Sequence, residues 1–324
     1  MTTNSKLSTY ELLQEYASLI RYLSSGKGSM KLWTAAVTLM AWLDTCVGTN
    51  KRSSAVRRVA IVGSGPGGLS LAKCLSTPIA GSSAHSLPEI VDVYESRSDA
   101  RQTMGGGIQL TSGAYVLQQV GLGLNLDKAS ERIKRVVARD ASGTNELFEV
   151  DVQKMVSKES IPSCYSIMRS ALQELLLKAL NTDTTSAMSS TKVTVSTGRK
   201  VEEAIEMVKE GKVKLKFSDG SEIGNYDMVF GADGLNSKIL SSSESSFIQA
   251  SYSGIRVVYC ITPPDRDFKF RPVSSRGQFN QYFGDGLYAL CASYGNIFEK
   301  RMILSIIVNC TLTFNSFYDL DVIN

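Results

Sequence analysis

The residues of this chain whose types and spacing could do chemistry are few: Gly63-x-Gly65-x-x-Gly68, Glu95, Arg169, and Asp233-Gly234 within Gly231-Ala232-Asp233-Gly234. A glycine set of this spacing is a weak signal alone. It gains meaning between a strand and a helix, where it forms the front of a dinucleotide-binding βαβ unit. Gly63 would allow a sharp turn, Gly65 would let the backbone approach a pyrophosphate, and Gly68 would let the helix pack on the strand. Pro66 and Gly67 lie inside the same turn. Unpaired N–H groups at the helix start, aided by its dipole, would hold phosphates. An acidic residue such as Glu95 at the end of the next strand can accept hydrogen bonds from a ribose. Arg169 opens a leucine-rich helical pattern, where a cation is disfavoured by the dipole and calls for an anionic partner.

Composition excludes other chemistries. The six cysteines (Cys46, Cys74, Cys164, Cys260, Cys291, Cys310) form no C-x-x-C pair, which argues against a disulfide framework or a zinc site. His85 is the only histidine and lies in a Ser/Gly/Pro-rich stretch. A Ser-His-Asp triad or a histidine-rich metal centre is therefore not expected, and no metal ligand is assigned. A formal charge of +4 without long basic runs gives no support to nucleic-acid binding. Any reaction must lean on a cofactor.

The elements that must position these residues are legible as patterns. Val59-Ala60-Ile61-Val62 reads as a strand and Leu69 to Leu75 as a helix; Ile90 to Tyr94 reads as a second parallel strand ending at Glu95. Glu95 lies farther from the turn than the usual spacing of about 20 residues, which a long polar loop from Ser76 to Pro88 accounts for. The run Gly105-Gly106-Gly107-Ile108 precedes a helix over Ser112 to Val120 and suggests a backbone that approaches something flat or large. Residues 133–156 alternate weakly like paired strands, and Ser170 to Leu180 is helical. Val193 to Val195, Val201 to Met207 and Val213 to Phe217 read as strands with a turn at 218–221, and Tyr226 to Phe230 as a single buried parallel strand. From Ser241 the chain turns to strands: Ile255–Ile261, Gln281–Phe283, Leu287–Ala292 and Met302–Val308.

These readings give an α/β fold: a Rossmann-like, parallel-sheet dinucleotide-binding domain over residues 56–240, and a second, sheet-rich domain over 241–324. The strands around 133–156 would belong to the second sheet. Residues 1–55 read as a helical extension. Tyr10 to Ile20 suits an amphipathic helix, and the uncharged run from Leu32 to Leu43 is shorter than the roughly 20 residues of a membrane span. Weak membrane association through residues 8–47 is one reading of it, and location stays open between cytoplasm and plastid, soluble or membrane-peripheral.

Taken in order, Gly63-x-Gly65-x-x-Gly68, Glu95, Arg169 and Gly231-Ala232-Asp233-Gly234-x-x-Ser237 resemble the FAD-dependent monooxygenases of the p-hydroxybenzoate hydroxylase fold, which include salicylate hydroxylase-like and zeaxanthin epoxidase-like enzymes. The resemblance covers residues 57 to about 295. It implies FAD as cofactor, NADH or NADPH as electron donor, and dioxygen transferred to an aromatic or isoprenoid substrate through a flavin C4a-hydroperoxide. It also implies that Gly63, Gly65, Pro66, Gly67 and Gly68 hold the pyrophosphate and that Glu95, Ser96 and Arg97 lie at the adenosine ribose. Arg169 would face the phosphate or ribityl side, Gly106, Gly107 and Ile108 the ribityl–isoalloxazine end, and Asp233 and Gly234 would support FAD and the passing NAD(P)H.

The sequence departs from the family at Leu240, where members carry an arginine. It also lacks a convincing late Gly-Asp motif, because Gly284-Asp285 comes too early and leads into a strand. A C-terminally truncated member is the expectation. Two alternatives stay open: a flavin-binding reductase or dehydrogenase, or a non-catalytic paralogue that binds a nucleotide or a partner.

Overall fold

The computed structural model describes residues 56–78, 87–100, 106–159, 163–183, 191–242, 255–261, 276–284, 287–295 and 301–309. The expected helix at 10–20, the run at 32–43, residues 8–47 as a whole, and His85 lie outside them. No helix among the described residues is long and apolar enough to cross a membrane.

β1 (Arg58–Val62), β2 (Ile90–Tyr94), β8 (Lys192–Ser196) and β12 (Met228–Gly231) form a parallel sheet in the order β12-β1-β2-β8. The register sets Ile61 beside both Val93 and Phe230, and Val93 beside Val195. Side chains alternate between the sheet's faces with a period of two. Val59 and Ile61 therefore pack with α1 (Pro66–Ser76) and α5 (Arg169–Asp183) through Leu69, Ala72, Leu172 and Leu176. Ala60, Val62 and Tyr94 point the other way, onto Leu215, Phe217 and Tyr226 of an antiparallel layer. That layer is β9 (Val201–Met207), β10 (Lys212–Phe217) and β11 (Glu222–Tyr226), in the order β11-β10-β9. A fully buried aliphatic side chain such as Leu69 or Leu176 contributes about 1.5–3 kcal/mol, so this two-faced core is a main source of stability for the parallel-sheet half.

The strand expected over Tyr226 to Phe230 is in fact two. Asp227 interrupts it: its Oδ2 accepts the backbone N–H groups of Arg57 at 2.9 Å and Arg58 at 2.8 Å, and its Oδ1 meets the Lys212 ammonium. β11 thus ends in the antiparallel layer while β12 begins in the parallel one. Between the layers, the Tyr94 and Tyr226 hydroxyls share a hydrogen bond of 2.6 Å, and Tyr226 donates to Asp92 at 2.9 Å. Arg58 completes the group on Asp92 Oδ2 at 2.9 Å. Burial, then these neighbours, raise the Tyr226 phenol above its ordinary range.

β3 (Gly107–Leu110), β4 (Glu131–Arg132) and β7 (Tyr165–Met168) form a small antiparallel sheet beside α2 (Ser112–Gln119) and α3 (Gly123–Ala129). Gly107 and Ile108 are thus strand residues. Helix α4 (Val152–Glu159) replaces the end of the paired-strand reading over 133–156. β5 (Arg135–Asp140) and β6 (Glu146–Asp151) do pair, and they join a six-stranded sheet with β13 (Ile255–Ile261), β14 (Gln278–Gly284), β15 (Leu287–Tyr294) and β16 (Arg301–Asn309). Its order is β13-β16-β15-β14-β5-β6, antiparallel except where β14 runs parallel to β5. Gly284 ends β14 and pairs with Leu287 of β15, so it is a strand residue; Asp285 lies outside the described residues.

Candidate functional site

The glycine turn is built by steric exclusion. Gly63 has φ +107, a conformation that side chains rarely adopt, and a Cβ there would lie 2.3 Å from the Ala232 carbonyl oxygen. A Cβ on Gly68 would lie 2.0 Å from the Gly63 carbonyl oxygen. β1, α1 and the segment after β12 therefore meet at backbone distance. The Gly63 N–H donates to the Tyr94 carbonyl at 2.7 Å, and Ala232 N–H to the Val62 carbonyl at 2.7 Å. From α5, the buried Gln173 amide donates to the Ser64 carbonyl at 2.8 Å and pins the loop from below. Gly65 caps α1 without a side-chain bond, Pro66 follows it, and the first turn holds no acidic residue. The helix start keeps its N–H donors and its positive dipole end for something else.

Glu95, at the end of β2, is only 6% exposed. Its Oε2 accepts the Ser64 N–H at 3.1 Å and the Ser64 hydroxyl at 2.7 Å. Its Oε1 accepts the Arg97 N–H at 3.1 Å, Arg97 Nε at 3.1 Å and the Ser96 hydroxyl at 3.2 Å. Burial pushes the carboxyl up, but the bonds from Arg97 and Ser64 outweigh it and hold the pKa at about 2. The chain beyond β8 is stitched to the same place: Arg199 N–H donates to the Glu95 carbonyl at 2.8 Å, and Gly198 N–H to the Arg97 carbonyl at 2.6 Å.

These groups face one cavity of about 530 Å³. Gly63, Gly65, Glu95, Ser96, Arg97, Arg169, Asp233 and Gly234 line it, joined by Tyr94, Arg199, Lys200, Asn236 and Lys238. Five cations (Arg97, Arg169, Arg199, Lys200, Lys238) stand against two carboxylates (Glu95, Asp233), a surplus suited to an anion. Arg199 is drawn to Asp219 at 2.6 Å and Lys200 to Glu202 at 2.6 Å. The Arg169 guanidinium has no side-chain partner among the described residues; its Nη2 lies 4.0 Å from where a Cβ on Gly65 would be. Asp233 has a structural task as well. Oδ1 accepts the Ser237 hydroxyl at 2.6 Å, and Oδ2 accepts the N–H groups of Lys238 at 2.6 Å and Ile239 at 3.3 Å, capping α6 (Lys238–Ser242).

No protein-family model and no curated protein sequence matches the chain. Solved structures do. Klebsiella pneumoniae HpxO complexed with FAD and uric acid superposes with a TM-score of 0.61 at 20% identity, covering 80% of this chain and 58% of that one. The tetrameric form of 2-methyl-3-hydroxypyridine-5-carboxylic acid oxygenase gives 0.60 at 19%, covering 79% and 60%. CtdE in complex with FAD gives 0.57 at 17%, covering 82% and 61%. The chain has the fold of FAD-dependent monooxygenases. It spans less than two thirds of the length of each of these three.

The residues around the cavity fit the chemistry of FAD unevenly. Gly65 leaves open the space beside Arg169 that a side chain would fill, and the capless start of α1 supplies N–H donors there. A pyrophosphate fits that chemistry. The end of β2 is less open. Glu95 already accepts from five donors, more than the roughly four lone-pair sites of a carboxylate, so a ribose hydroxyl must displace Arg97 or Ser96. Of the residues expected to touch the cofactor, Pro66, Gly67, Gly68, Gly106, Gly107 and Ile108 do not line this cavity. Gly68 works beneath it as a contact for Gly63. Sequence reasoning missed Tyr94, Arg199, Lys200, Asn236 and Lys238. The dipeptide Arg199-Lys200, just beyond a strand and Gly198, was the one available signal.

Proposed function

We propose that this chain is the FAD-binding and sheet portion of an NAD(P)H-using monooxygenase that hydroxylates or epoxidises an aromatic or polyene substrate. The observation that carries the reading is the convergence of four distant sequence landmarks, the glycine turn, Glu95, Arg169 and Asp233-Gly234, on a single cationic cavity. HpxO, of the same fold, was solved in complex with FAD and uric acid, which supports an aromatic substrate class. When bound, FAD supplies the redox and oxygen-transfer chemistry, with NADH or NADPH as electron donor.

The chain's own contribution is binding and orientation. The free N–H groups of α1 and the Arg169 guanidinium would hold the pyrophosphate. Glu95 would exchange one of its present donors for a ribose hydroxyl, a rearrangement confined to Ser96 and Arg97. Asp233, by capping α6, would keep Gly234 and Asn236 at the cavity wall. The six-stranded sheet would form the substrate side and exclude water.

FAD titration of the purified chain tests this. Thermal stabilisation, a flavin absorbance band that co-purifies, and NAD(P)H oxidation stimulated by an aromatic compound are expected. A chain that neither FAD nor ADP stabilises would refute the reading.

A further inference from the structure

The glycine run at 105–107 suggests a backbone approaching something flat, and the structure holds such an object at Gly107. It is the ring of Tyr294, the last residue of β15. A Cβ on Gly107 would lie 2.0 Å from Tyr294 Cε1 and 2.2 Å from Cδ1, so only glycine lets the ring lie there. Tyr294 is 1% exposed, and the Gln109 amide donates to its hydroxyl. Burial raises its phenol pKa to about 12. One residue back, the Ser293 carbonyl accepts the Ser166 hydroxyl from β7 at 2.7 Å. The end of β15 is thus fastened to both β3 and β7.

The start of β3 also meets the start of α5. Gly107 pairs with Met168, and the Gly106 carbonyl accepts the N–H of Arg169 at 3.1 Å. Arg169 is the first residue of α5, and its guanidinium reaches the cavity wall beside Gly65. A continuous path runs from the Tyr294 ring to Gly107, through the Gly106 carbonyl to Arg169, and so to the cavity.

We propose that Tyr294 is a positioning residue for Arg169: its ring clamps Gly107, which fixes the Gly106 carbonyl and with it the backbone from which the phosphate-facing guanidinium extends. The proposal rests on the nucleotide reading of the cavity and adds that the six-stranded sheet governs its anion end. A role in packing alone would affect stability and every ligand equally. Positioning of Arg169 affects only ligands with phosphate.

The test is a double-mutant cycle on the full chain, read by titration with ADP and with adenosine, with circular dichroism to confirm folding. R169Q removes a charged donor and should weaken ADP by about 10–100-fold, leaving adenosine within about twofold. Y294A should weaken ADP by about tenfold and adenosine hardly at all. Y294F keeps the ring on Gly107 and should bind ADP as the wild type does. In the R169Q background, Y294A should add nothing. Equal weakening of ADP and adenosine by Y294A, unchanged ADP affinity, or an undiminished effect in R169Q would each overturn the proposal. If Y294A does not fold, Y294L, which retains bulk without a flat ring, takes its place under the same outcomes. A wild-type chain that does not bind ADP would overturn the nucleotide reading, and this proposal with it, whereas ADP binding indifferent to Tyr294 would overturn this proposal alone.

Discussion

Replacing Glu95 with glutamine removes a charge from a site where five donors converge, and its effect can be worked out before measurement. The carboxyl is held at about 2, against an ordinary value of 4.5. At 1.36 kcal/mol per pKa unit, the ionised form contributes about 3 kcal/mol to folding at neutral pH. The folded pKa is depressed, so this contribution is complete above the unfolded-state pKa and lost as pH falls toward the folded one. From the two values, the wild type should lose about 1 kcal/mol from this group between pH 7 and pH 4, and about 2 kcal/mol by pH 3. Glu95→Gln, which cannot ionise, should start about 2–3 kcal/mol less stable at pH 7 and close part of that gap as pH drops. Urea denaturation of both proteins at pH 7, 5, 4 and 3 measures the difference. A stability gap below about 0.5 kcal/mol at pH 7, or one that does not narrow on acidification, would refute the account of Glu95 as a brace between the glycine turn and the end of β2.

Other perturbations follow from the same geometry. Gly63→Ala meets both an unfavourable φ and the Ala232 carbonyl, and should cost about 2–4 kcal/mol and abolish stabilisation by ADP in thermal melts. Tyr226→Phe leaves the buried Tyr94 hydroxyl without its partner and removes a donor to Asp92; a loss of about 1–3 kcal/mol in urea is expected. Asp233→Ala uncaps α6 and should cost about 1 kcal/mol, while weakening ADP binding severalfold through the displaced cavity wall.

What could be read from the sequence was what is local. The turn at Gly63 to Gly68 is bounded by its own strand and helix, so its pattern and its position coincide. Glu95 was visible because strand ends are. Asp233 was visible as a motif, but its three bonds to the start of α6 depend on how residues 237–239 turn back. Arg199 and Lys200 reach the cavity only because β8 lies beside β2 and the Arg199 N–H and Gly198 N–H bond to the β2 exit. Nothing adjacent in sequence announces that pairing. The strand expected over Tyr226 to Phe230 fails at one carboxylate, since an apolar run cannot show that Asp227 will be occupied by the N–H groups of residues 57 and 58. The glycines at 105–107 signal a close approach but not what is approached at Gly107. Its partner is Tyr294, on another sheet.

The parallel pairing of β14 with β5 has a consequence for how the chain is made. β5 and β6 form a hairpin on their own, but its inner edge is completed only by a strand some 140 positions later. During synthesis this hairpin must wait, with one edge unsatisfied, while the chain from β7 to β12 emerges and folds. Parallel pairing at such separation is slow and leaves an edge open to the wrong strand. The vulnerable moment for this protein is therefore a delay in translation between the two strands, when its second sheet is half built and another unfinished chain can take the place of β14.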